Sequence, residues 1–479
     1  MKIDIAAKVE SNLLRTRFVV ILAFATNAVM NVLLIGFLAR VGGLDFVGTW
    51  AFISAVLMNA LILDLGMTNA LTYKIGKAGV ASGLPFLRLL GRWSNLLLLV
   101  VMGLVGAALV LRQPLAAALS LTIAAAILQL RSNWYCAVRM GQHEQYWFNV
   151  QTILRVIVQS LASVLLILGF PNHPELAFAT AMLIGNMAAL GLSWQLARKD
   201  LRQDSPTAFW MDLGHLVSDF GLENAAQRAF QPMSQLAVAH FLGSASLGIF
   251  TIALRIPVVM NQSISEALRV LLPGIAWTLR NGDERRVVEM LRGALVTQLV
   301  LVIPVMAFVT IHAKTILIVW LGSDTDEIVS ALRMLCGSMS WVAIAVPFYW
   351  SMQATGQARL IALSVTARLL AVLAFGSLTM AMGGGILLFT AIFALGQVGD
   401  ALFTIAASER KYGYLRKCLS QIRLLRLGAF LIASLSLNLW LSLSRVQEMQ
   451  PHLGLTVVMT ANLALIGFPG FFLLRKRWL

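Results

Sequence analysis

Charge is scarce in this 479-residue sequence. Asp, Glu, Lys and Arg together make up 12% of it, against 59% hydrophobic residues and a mean hydropathy of +0.82. A soluble globular domain carries about 25% charged residues, so that class is excluded. Cysteine is nearly absent: Cys136, Cys336 and Cys418 are far apart and offer neither a disulfide framework nor metal-ligand spacing. Histidine is equally thin, with His143, His173 and His452 in loops and no pair at metal spacing. No metal or other cofactor is expected. Long polar connections are lacking too, and no soluble domain fits between the apolar runs.

Those runs are what the sequence has instead. Each is long enough, at about 20 residues, to cross ~30 Å of hydrocarbon. They predict spans near 18–39, 47–68, 91–111, 115–136, 147–169 and 176–197, then 214–241, 246–270, 291–313, 329–352, 360–382 and 385–407, and finally 426–444 and 453–474. The expected fold class is an all-α polytopic membrane protein with 14 transmembrane helices.

The basic residues test this count, because Lys and Arg are retained on the cytoplasmic side of short loops. With the N-terminus inside, 27 of the 37 Lys and Arg fall on the inner side, span ends included, and four on the outer side: Arg40, Arg112, Lys314 and Arg445. The other six, Arg155, Arg228, Arg255, Arg269, Arg333 and Arg368, lie within spans. Deleting one span would reverse every later loop and erase the asymmetry, so both termini are expected in the cytoplasm. The opening "MKIDIAAKVESNLLRTR" is read as a retained cytoplasmic tail, since the run after it is too long for a signal-peptide core. The net charge of +16 is then mainly topology beside an anionic leaflet. No nucleic-acid partner is expected.

An internal repeat divides the chain. "IGFLARVGGLDFVGTWAFISAVLMN" from Ile35 resembles "VAHFLGSASLGIFTIALRIPVVMN" from Val238: Phe37 and Leu38 match Phe241 and Leu242, Gly48 matches Gly248, and Asn59 matches Asn261. Carried outward, the offsets pair Asn27 with Gln231, Asn31 with Gln235 and Asp64 with Glu266. Six helices separate the halves, so both enter the bilayer in the same direction, a parallel repeat. The expected organisation is two pseudo-symmetric six-helix lobes around a central cavity, residues 1–205 and 206–412, with two additional helices in 413–479.

The seventh span is unusually polar. In "FGLENAAQRAFQPMSQLAVAHFLG", Asp219, Glu223, Gln227 and Gln231 recur every four residues, and Asn224, Arg228, Gln231 and Gln235 form a neighbouring row. Charges facing lipid at mid-bilayer cost at least ~2.5–3.5 kcal/mol each, so this face looks inward, toward a dry interhelix network or a wet cavity. Other helices favour the cavity. Thr251, Arg255, Gln262, Glu266 and Arg269 share a face of span eight, Gln151, Arg155 and Gln159 one of span five, Ser364 and Arg368 one of span eleven, and Asn27 and Asn31 one of span one. Deep arginines (155, 228, 255, 368) outnumber Asp219 and Glu223, which argues for an anionic ligand. Arg holds phosphate oxygens bidentately and does not deprotonate when partly desolvated.

Asp64, Glu266 and Asp400 lie nearer the cytoplasmic ends of their spans. They are candidates for gating or proton coupling, as are Asp219 and Glu223, or they pair with Arg92 or Arg269. Trp50, Trp93, Trp147, Trp320 and Trp440 fall near span ends, where interfacial anchoring is the default.

"RVGGLDFVGTWAF" and "LILDLGMTNALTYKIGKAG" resemble the opening of bacterial polysaccharide flippases of the Wzx type, in the multidrug/oligosaccharidyl-lipid/polysaccharide (MOP) transporter superfamily. "TILIVWLGSDTDEIVSALRMLC" and "MQATGQARLIALSVTARL" are similar to a later region of the same family. The resemblance implies a transporter in the bacterial inner membrane. It would move polyprenyl-pyrophosphate-linked oligosaccharide from the cytoplasmic to the outer leaflet by alternating access, for O-antigen or exopolysaccharide assembly. Arg228 and Arg255, then Arg155 and Arg368, would meet the pyrophosphate, and Asn27, Asn31, Gln231 and Gln235 the sugar hydroxyls. Polysaccharide polymerase or ligase machinery is an implied partner, and a monomer is the default state. A peptidoglycan lipid II flippase and a cation-coupled multidrug exporter of the same superfamily remain alternatives, the latter disfavoured by the arginines. An integral-membrane enzyme is not expected, because the longest outer connection, "AKTILIVWLGSDTDEI", has only 16 residues.

Overall fold

The computed structural model describes residues 2–64, 66–142, 144–202, 213–268, 282–322, 325–422 and 424–443, with isolated positions at 275, 278–279, 456 and 459–460. Among the described residues every regular element is a helix. In hydrocarbon each backbone N–H and C=O must be satisfied within its own segment, and a helix does this.

Ten helices among the described residues are long and apolar enough to cross a membrane. Two of them are double length. The first, α1 (Lys2–Ala60), leaves helical geometry at Gly43, with φ 69° and ψ −161°. After α2 (Met67–Ala78), α3 (Val80–Val110), α4 (Pro114–Gly141), α5 (Tyr146–Gly169) and α6 (Pro174–Ala197), the long helix α7 (Leu213–Leu268) breaks the same way at Gly243, with φ 81° and ψ −178°. Leu22–Asp64 spans 43 residues, or ~65 Å at 1.5 Å per residue, about twice the hydrocarbon thickness. Each break therefore separates two membrane-length arms, and each long helix holds two of the predicted spans.

Further along come α8 (Glu284–Thr297), a π-helical turn (Gln298–Val302), α9 (Ile303–Ile311), α10 (Ala313–Leu321), α11 (Asp326–Ala354), α12 (Ala358–Ala381) and α13 (Ile386–Tyr412). A short α14 (Tyr414–Ser420) and α15 (Leu424–Leu443) close the described order. The predicted span at 426–444 is α15, whereas most of the one at 453–474 lies outside the described residues, as do His143, His452 and Arg445.

The chain divides into two compact units: Met1–Leu38 with Gly42–Ala239, and Ala39–Val41 with His240–Leu479. In the first, α4 packs against α6 and α3, and α5 against α6. Short polar links lock these helices together. Ser132 Oγ lies 2.9 Å from Ser193 Oγ, Cys136 Sγ donates to Gln151 Oε1 at 2.6 Å, and Trp134 Nε1 donates to Asp64 Oδ1 at 3.0 Å. In the second unit, Phe250 of α7 meets Phe389 and Phe393 of α13 edge-on at 5.4 and 5.2 Å, and Asn261 Nδ2 donates to the carbonyl of Met339 at 3.1 Å. Arg40, grouped with this unit, donates Nη2 to the carbonyl of Val319 at 3.0 Å.

One anchoring assignment changes. Trp93 and Trp440 are exposed, at 57% and 64%, as interfacial residues are, but Trp50 is only 7% exposed and its buried Nε1 has no partner among the described residues. Seven residues past the Gly43 break, its ring packs into the first unit rather than facing the headgroups.

Candidate functional site

The deep arginines fall into two kinds. Arg368, on α12, is held by α13: Nη1 donates to Asp400 Oδ2 at 2.7 Å and to Gln397 Oε1 at 2.9 Å. Ser364, one turn earlier, donates Oγ to the other oxygen of Asp400. The pair is largely buried, with side chains 12% and 14% exposed. The two helices approach closely here because position 396 is glycine. A Cβ there would lie 2.5 Å from Val372 Cγ2 and 3.5 Å from Arg368 Cγ.

Arg155, on α5 of the first unit, sits in the same frame. The following helix again presents a glycine, Gly185, whose missing Cβ would lie 3.0 Å from the Arg155 carbonyl and 2.8 Å from Gln159 Cβ. One residue on from that glycine stands an amide, Asn186, where α13 has Gln397. Four residues on stands Ala189, where α13 has Asp400. The carboxylate is missing. Asn186 donates to the Met182 carbonyl at 2.9 Å, and its Oδ1 is buried without a partner. Arg155 makes no hydrogen bond or ion pair among the described residues.

Arg255 is half-buried on the second arm of α7, and its Nε is buried with no hydrogen-bond partner among the described residues. Arg228, on the first arm of α7, is exposed and likewise unpartnered among them. Gln231 is half-buried and Gln235 is 6% exposed and bonded. Asn27 and Asn31 are half-buried and bonded to each other: Asn31 Nδ2 reaches both the carbonyl and Oδ1 of Asn27 at 2.7 Å. Asn27 accepts both bonds, so its own Nδ2 donors remain for a ligand acceptor.

Two of the acids have partners that differ from those expected. Asp64 accepts from Trp134 Nε1 and from Thr68 Oγ1 at 2.9 Å, and Asp400 binds Arg368, so neither uses Arg92 or Arg269. The side chains of Asp219, Glu223, Asn224, Glu266 and Arg269 lie outside the described residues. Sequence reasoning missed Gln397 and the two glycines, although Gln397 and Asp400 lie three apart on one helix face, the same signal that singled out Ser364 with Arg368. Among the described residues, no three His, Cys, Asp or Glu are grouped so as to hold a metal ion.

The architecture matches transporters of the MOP superfamily, as the resemblance implied. An inward-facing multidrug resistance MATE family transporter of that superfamily superposes with a TM-score of 0.63 at 15% identity, covering 82% of this chain and 96% of its own. The lipid II flippase MurJ, in an inward closed conformation, gives 0.65 at 12% identity over 96% of this chain and 99% of its own. A MOP superfamily transporter from Pyrococcus furiosus gives 0.57 at 16% identity over 85% and 97%. By sequence, residues 113–330 match the family model described as polysaccharide biosynthesis protein, in keeping with the Wzx-type reading. No curated protein matches the chain by sequence.

Proposed function

We propose that this protein is a flippase for a polyprenyl-pyrophosphate-linked glycan, acting by alternating access in the bacterial inner membrane to supply surface polysaccharide assembly. The observation that carries the reading is the set of arginines at membrane depth with no counter-charge among the described residues: Arg155, Arg228 and Arg255. An orphaned guanidinium N–H in a low-dielectric setting forfeits its desolvation cost unless something accepts from it. A pyrophosphate does so with charge-assisted, bidentate geometry. Three unneutralised cations suit a dianionic headgroup and oppose an organic cation. Asn27, Gln231 and Gln235 supply the amide chemistry that hydroxyl groups need, and Arg368, already neutralised, serves as a framework or gating element.

A lipid II flippase is the second reading, favoured by the likeness to MurJ over nearly the whole chain. Deleting the gene and profiling lipids by mass spectrometry, with surface-glycan staining alongside, separates the two. Accumulated polyprenyl-pyrophosphate oligosaccharide with loss of surface glycan, restored by wild type but not by Arg228→Ala or Arg255→Ala, is the expected result. Accumulated lipid II with intact surface glycan would move the protein to the second reading. Unchanged lipids with new sensitivity to cationic drugs would overturn both.

A further inference from the structure

A groove of about 540 Å³ opens on the first unit between α3, α4 and α6, away from every residue assigned above. That volume falls in the ~300–1,000 Å³ range of ligand sites. Leu98 and Met102 of α3, Ala124 and Leu128 of α4, and Leu183 and Met187 of α6 make its walls apolar. One end differs. There Arg131 and Tyr135 of α4 meet Trp194 of α6, near the helix ends that continue into Arg139, Arg198 and Lys199, the basic, inner side of the topology.

Arg131 is arranged to receive an anion. Its Nε donates to the Tyr135 hydroxyl at 3.0 Å, its Nη1 donates to Asn95 Oδ1, and its guanidinium carbon stands 5.5 Å from the Tyr135 ring centre. Both acceptors are neutral, so the charge is oriented but not cancelled. Nη2 has no partner among the described residues. From Ala124 to Tyr135 the groove follows 11 residues of α4, or ~16 Å, about half of the ~30 Å hydrocarbon thickness. That is the reach of an acyl chain from one leaflet.

We infer that this groove is a binding site for an anionic phospholipid of the inner leaflet, with one acyl chain between α3, α4 and α6 and the phosphate against Arg131. Tyr135 and Trp194 line the level where their amphipathic rings suit the headgroup boundary. The inference is independent of the transported substrate.

The test is native mass spectrometry of the purified full chain with phosphatidylglycerol and phosphatidylcholine added at equal concentration. Wild type is expected to retain phosphatidylglycerol about fivefold over phosphatidylcholine, the scale of one basic residue at an anionic lipid surface. Arg131→Gln is expected to bring that ratio to about one. Gly191→Phe fills the groove, because a Cβ at Gly191 meets no atom within 4 Å, and it is expected to lower retention of both lipids. An unchanged preference in Arg131→Gln, or unchanged retention in Gly191→Phe, would overturn the site. Displacement of phosphatidylglycerol by equimolar polyprenyl phosphate would overturn the phospholipid as its occupant.

Discussion

The pair α5–α6 in the first unit and the pair α12–α13 in the second use one frame in two ways. In each, an arginine near membrane depth faces a glycine that lets the next helix come close, and an amide follows that glycine. The pairs part at one position. Asp400 neutralises Arg368, whereas with Ala189 there Arg155 has no counter-ion among the described residues. An internal carboxylate converts a candidate anion ligand into structure, and its loss does the reverse. The two pairs thus differ at a single residue in whether the arginine meets a carboxylate.

Breaking the paired side should have the largest effect. Asp400→Ala strands Arg368 in a low-dielectric site and is expected to cost ~3–5 kcal/mol. That would read out as lost folded protein in size-exclusion and thermal-melting measurements. Adding Arg368→Met should restore most of it, since an apolar pair of similar volume replaces a buried ion pair at little cost. If Asp400→Ala melts like wild type, the pair is not what holds α12 to α13.

Arg255 tests the opposite kind. Arg255→Met removes an orphaned donor, so yield and melting should stay near wild type. Surface-glycan complementation should fall about tenfold or more, the scale of a charge-assisted hydrogen bond worth ~1.5–3 kcal/mol. Loss of folded protein instead would make Arg255 structural.

Transplanting the carboxylate sharpens the comparison. Ala189→Asp should pair with Arg155 and lower complementation, at an overpacking cost of ~1–3 kcal/mol. In an Arg155→Met background the same aspartate should be tolerated less well, because it then has no cation. Equal melting temperatures with and without Arg155 would show that the two positions do not meet.

The smallest effects are expected at the helix breaks. Gly43→Ala and Gly243→Ala each place a Cβ at positive φ, in an essentially glycine-only region of backbone space, with open space around it, so only backbone strain of ~1–3 kcal/mol is at stake. A similar drop in melting temperature for both is the outcome to look for.

Much of this fold was legible because the bilayer imposes a length and an apolar composition on every helix that crosses it. The apolar runs located the spans that the described helices occupy. Arg155, Arg228, Arg255 and Arg368 could be recognised as lying within predicted spans. Which of them was already satisfied could not, because helical phase assigns a residue to a face without naming the helix opposite. For Asp400 the sequence leaves gating, proton coupling, headgroup water or a pair with Arg92 or Arg269 open, and it takes the packing of α13 on α12 to bring it to Arg368. Trp134, missed altogether, reaches Asp64 from 70 residues away, a contact that periodicity does not encode. Trp50 misled for a related reason: proximity to a span end suggested the interface, but its side chain is buried.

Those two breaks also bear on ancestry. Most positions in a duplicated gene can drift, since one apolar side chain substitutes for another and lipid tolerates the exchange. A residue retained for a backbone angle that other side chains resist has no near neighbour to drift to. Gly43 and Gly243 share a positive φ two hundred positions apart, a likeness held in a torsion where the letters around it differ.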